Sequence, residues 1–71
     1  MKVTPQQTEK LLKGNQTFSQ LGLSMMLTRL KTLYAKDPSQ TTIQICVDEI
    51  NAFLVKFSMI MGQDYEIIAK L

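Results

Sequence analysis

Large apolar side chains recur along this chain at helical spacing in two long stretches. From Leu23 onward they fall at Leu23, Met26, Leu27, Leu30, Leu33 and Tyr34, an arc of about 120° at 100° per residue. The opposite side of the same helix carries Thr28, Arg29, Thr32 and Lys36, and also Met25. Further on, Ile43, Cys46, Val47, Ile50, Phe53, Leu54, Phe57, Ile60 and Met61 form one stripe about 140° wide, the strongest periodic signal in the sequence. Two amphipathic arms are expected, over about residues 16–36 and 38–61. Projected back along the first arm, Phe18 and Leu21 land on the polar side with Met25, so the helix either breaks near Gly22 or makes two separate contacts.

Local punctuation divides the rest. In Thr4-Pro5-Gln6-Gln7 the threonine can accept from the amide of Gln7, proline loses nothing at the first helical position, and Gln7 can reach back. A helix over about 5–13 follows. Gly14 suits a left-handed residue after it, and Asn15 can cap the next helix. At Asp37-Pro38 the residue before proline avoids helical geometry, Asp37 can cap and Pro38 can open the second arm. Gly62 interrupts that arm, and Asp64 can recap a tail of about 64–70 that bears Tyr65, Ile67, Ile68 and Leu71. The run Thr41 to Val47 alternates β-branched residues as a strand would, but no second strand is on offer to pair its backbone. The expectation is one all-α domain over residues 1–71, a small bundle of three to four helices whose two long arms form an antiparallel hairpin.

Composition then limits how such a bundle is stabilised. With 71 residues, burial only roughly offsets an ordering cost of about 1.5 kcal/mol per residue. The single cysteine and the absence of histidine leave neither a disulfide framework nor a histidine metal site to help. Self-association or a partner remains. At 45% hydrophobic and 20% charged, with five methionines, the chain has more apolar surface than one core needs, and the excess suits contact with another chain. No window reaches the roughly 18 apolar residues of a membrane span. Met1-Lys2 runs into Val3-Thr4-Pro5, not into the apolar core of a signal peptide. A cytoplasmic protein is expected.

Candidate chemistry is sparse. Cys46 sits on the apolar stripe with no imidazole to activate it and reads as a small buried hydrophobe. Asp48 and Glu49 are adjacent, so on a helix they point about 100° apart. Asp64 and Glu66 lie where a helix starts and acids suit the dipole; all four read as solvated or capping. Gly14, Gly22 and Gly62 are isolated and cradle no phosphate. The sequence points to a protein that is not an enzyme and takes no metal or cofactor.

Two resemblances to families can be drawn. Residues 19–31, "SQLGLSMMLTRLK", resemble the helix-turn-helix DNA-binding regulators, in which a glycine makes the turn and a serine starts the recognition helix. The resemblance gives those places to Gly22 and Ser24 and implies DNA contact by Arg29, Lys31 and Lys36. The pattern differs at Phe18, where that family keeps a small residue, and at Met25, which would face the bases. A net charge of +2 permits nucleic-acid binding without the basic face expected of it. Residues from about 27 to 71 also look loosely like the needle subunits of type III secretion systems, short hairpins with an Asp/Asn-Pro turn that pack into a hollow filament. Asp37-Pro38, Ile43-Gln44, Val47 and Phe53 carry that match, whereas "SMIMGQDYEII" replaces the polar C-terminal half of those subunits.

The back of the second arm carries a further seam. Ile45, Ala52, Val55 and Met59 lie within about 80° of one another opposite the main stripe, with Asp48 breaking the seam at its start. Either the first helix or the tail covers it, or a second copy or a partner helix does. The sequence therefore favours a small interaction or regulatory protein, a homodimer or a binder of a partner helix, with Met25, Ile45, Ala52, Val55 and Met59 as candidate contacts.

Overall fold

A computed structural model describes residues 2–58 and 62–71 of the chain. Four helices follow one another: α1 (Pro5–Lys13), α2 (Leu21–Lys36), α3 (Gln40–Lys56) and α4 (Gly62–Ala69), with no strand among the described residues. The segment 41–47 is the first part of α3. Backbone bonds made within the helix satisfy that segment without a partner strand.

α1 starts as its sequence dictates. Thr4 Oγ1 accepts from the amide of Gln7 at 3.1 Å, and Gln7 Oε1 accepts from the amide of Thr4 at 3.0 Å. The helix ends differently. Gly14 has φ −92° and ψ −178°, an extended backbone and not the left-handed one expected. A side chain at Gly14 would meet the carbonyl oxygen of Lys10 at 2.8 Å, so the glycine is needed for close approach. Residues 14–20 are not helical, and the cap of α2 is Gln20, not Asn15. Gln20 Oε1 accepts from the amide of Gly22 at 2.8 Å. The first arm is therefore shorter than the 16–36 expected. Phe18, freed from helical phase, turns into the core while Leu21 stays exposed.

The hairpin turn is built from three polar residues. Asp37 closes α2, and Ser39, not Asp37, caps α3 by accepting from the amide of Thr42 at 3.2 Å. Asp37 Oδ2 accepts from Thr42 Oγ1 at 2.9 Å, which ties both sides of the turn together. α3 gives way at Phe57, short of the expected residue 61. Ile60 and Met61, assigned to the stripe, lie outside the described residues.

The core forms where α3 packs against both α1 and α2. Leu11 and Leu12 of α1, Leu23, Leu27 and Leu30 of α2, and Cys46, Ile50 and Leu54 of α3 are buried in one cluster with Val3, Phe18 and Ile68. Burying a side chain of this size contributes about 1.5–3 kcal/mol. Asn51 adds a polar clasp, its Oδ1 accepting from the amide of Val3 at 2.7 Å.

α4 is tied down by a residue expected to cap its own helix or to stand in solvent. Asp64 is buried, and its two carboxyl oxygens accept from the amides of Ser19 at 2.8 Å and Gln20 at 2.9 Å. It lies inside the first turn of α4 and satisfies amide donors at the start of α2, which would otherwise lack partners. Tyr65 Oη donates to the carbonyl of Leu54 at 2.9 Å, and Ile68 is buried beside it in the core. Replacing Asp64 with alanine leaves two amides without an acceptor and is expected to lower unfolding free energy by about 1–3 kcal/mol. Urea denaturation measures this, and a loss within about 0.5 kcal/mol, the range of ordinary surface changes, would contradict it.

Candidate interaction surface

The antiparallel packing of α2 on α3 leaves a shallow apolar recess between their outward edges. Met26, Ala52, Phe53 and Phe57 line it, and Arg29, Glu49 and Lys56 stand around it; the recess holds about 290 Å³. Its floor depends on Gly22. A Cβ there would lie 3.3 Å from the Phe53 ring, so the glycine lets that ring close onto α2. Phe53 and Phe57 then stack at 4.5 Å between centroids, tilted by 42°. Both rings are half-buried: they sit at the rim of the inward stripe and not at its centre.

Charge around the recess is partly neutralised. Arg29 Nη2 donates to Glu49 Oε2 at 2.9 Å, between side chains that are both well exposed. Such a pair contributes about 0–1 kcal/mol, and it directs the arginine toward α3. Lys56 Nζ lies 5.5 Å from the centre of the Phe57 ring, within reach of a weak cation–π contact. Asp48 is exposed on the outer side of α3 and accepts from Gln44 Nε2 at 2.9 Å.

Beside the recess lies the outer seam of α3, and no other described element covers it. Ile45 is 45% and Val55 67% exposed, and Ala52 is exposed with them. Across the recess Met25 is 65% exposed on α2, next to exposed Leu21. Of the five expected contact residues, four thus stand open on the α2–α3 side, with Ala52 shared between recess and seam. Met59 lies outside the described residues. α1 is occupied by the inner side of the hairpin, and α4 is held at the start of α2 by Asp64. Leu21, projected from the sequence onto the same side as Met25, is exposed beside it, although it was not among the expected contacts.

The residues assigned to DNA contact are placed less favourably. Gly22, given the turn by the helix-turn-helix resemblance, lies in the first turn of α2, and a non-helical segment precedes it. Arg29 is held by Glu49, and Lys31 Nζ donates to the carbonyl of Gly14 at 2.8 Å. Lys36 alone of the three has no such contact among the described residues, and it lies in the last turn of α2, where a cation suits the helix dipole. Among the described residues no helix is long and apolar enough to cross a membrane. No protein-family model, curated protein or solved structure matches the chain.

Cys46 is fully buried in the core, and burial pushes its thiol above the ordinary range, helped by nearby Glu49 and opposed by Arg29. A thiol reagent is therefore expected to label the folded protein far more slowly than the urea-unfolded chain. The unfolded thiol ionises first as pH rises, so stability contributed by this group falls as pH passes through the unfolded thiol's range. Labelling at equal rates in both states would contradict the placement.

Proposed function

We propose that this is a non-enzymatic interaction protein of the cytoplasm, regulatory in character, that works by associating with a second copy of itself through the exposed α2–α3 face. The observation that carries the reading is the open outer seam of α3. Isolated apolar residues are common on protein surfaces, but here Ile45, Ala52 and Val55 adjoin the recess lined by Met26, Phe53 and Phe57. Apolar residues clustered in this way, rimmed by charge, are the usual composition of a protein contact. A small core strengthens the case, because burying this face would add to a marginal balance. The lack of histidine and the burial of Cys46 support a non-enzymatic role.

Sedimentation velocity over a wide concentration range tests the proposal. The wild type is expected to rise above its 8.1 kDa monomer mass as concentration increases. Ile45→Glu combined with Val55→Lys should hold the protein at monomer mass with an unchanged helical circular dichroism spectrum, since both positions face solvent in the monomer. A wild type that stays monomeric throughout would overturn the proposal, and so would a double variant that unfolds.

A further inference from the structure

We infer that the second copy docks antiparallel on α3 about a two-fold axis at Ala52, with Lys56 of each copy set against Asp48 of the other. This inference rests on the self-association reading above and names its geometry. Asp48 stands four residues before Ala52 and Lys56 four residues after it. At about 1.5 Å and 100° per residue, each is displaced about 6 Å along the axis and about 40° to either side of Ala52. The face thus reads acid, small apolar, base at equal steps, and is its own complement when turned end for end.

Charge selects the orientation. In a parallel pairing in register, Asp48 would face Asp48 and Lys56 would face Lys56, and both contacts would repel. Antiparallel pairing brings each Lys56 to the level of the other copy's Asp48, with Glu49 alongside. The same residues then meet twice, as a closed two-fold interface requires. Both groups are available for this. Among the described residues Asp48 meets the neutral Gln44 amide, and Lys56 the face of Phe57. Neither has an ion-pair partner among the described residues, whereas Glu49 is already held by Arg29.

Size favours the same centre. Ala52 carries the smallest side chain on the seam, so two helices crossing there can approach to the near end of the roughly 8–10 Å range of helix spacings. Ile45 and Val55, both exposed, lie on either side of Ala52 along the helix. The Phe53–Phe57 recess lies along one edge, where Met25 and Leu21 of α2 extend the apolar surface.

Reciprocal charge reversal tests this register. Asp48→Lys alone sets lysine against the other copy's Lys56, and Lys56→Asp alone sets aspartate against its Asp48. Each single variant is expected to weaken self-association by about tenfold or more while circular dichroism shows an unchanged fold. An equimolar mixture of the two should restore association as a heterodimer, because both contacts are then of opposite charge. Sedimentation equilibrium reads all three samples. Wild-type association untouched by either variant would overturn the antiparallel register and leave the self-association reading standing, and a mixture that fails to recover would do the same. A monomeric wild type would remove both.

Discussion

The fold depends on one helix being packed from two sides. Ile50 and Leu54 of α3 are fully buried where α1 and α2 converge, together with Leu11, Leu23 and Leu30. A chain of this length supports a single core, and α3 is its spine. α1 and α2 meet the inner arc of α3, and α4 reaches the same core through Ile68. Nothing comparable covers the outer arc among the described residues. A helix with apolar residues on two sides normally has both sides packed, and here the monomer packs only one of them.

That imbalance accounts for how the rest of the chain is arranged. The Asp37-Pro38-Ser39 turn folds the two arms back on each other. Gly22 lets Phe53 close onto α2, and Asp64 holds the tail helix on the start of α2 through two amides. With α4 fastened there and α1 against the inner side, the outer face of α3 keeps its apolar seam open. On the proposed reading, the same helix that organises the core carries the contact with a second copy.

Much of this was legible in the residues, for reasons that are local. The capping box at Thr4 and Gln7 acts over three residues, and the stripes of α2 and α3 repeat at the helical period, so both can be read from spacing. The seam of Ile45, Ala52 and Val55 follows from the same arithmetic, which left open whether the first helix or the tail covers it. What escaped is long-range or aperiodic. Asp64 meets Ser19 and Gln20 across more than forty intervening positions, a pairing that no spacing rule encodes, so its carboxyl read as solvated or as a cap of its own helix. Residues 14–20 follow no period, which hid both the late start of α2 and the inward turn of Phe18. Gly14 and Gly22 signalled a turn or break, whereas their role is to leave room for the Lys10 carbonyl and the Phe53 ring.

On the proposed reading the inner and outer arcs of α3 do different work, one holding the monomer and the other meeting a second copy. Nuclear magnetic resonance spectra of methyl-labelled protein, recorded as concentration is raised, test it most directly. The methyl signals of Ile45, Ala52, Val55 and Met25 are expected to shift together with increasing concentration, while those of Leu23, Leu30, Ile50 and Leu54 stay fixed. Outer-arc signals that never move, or core signals that move with them, would contradict it.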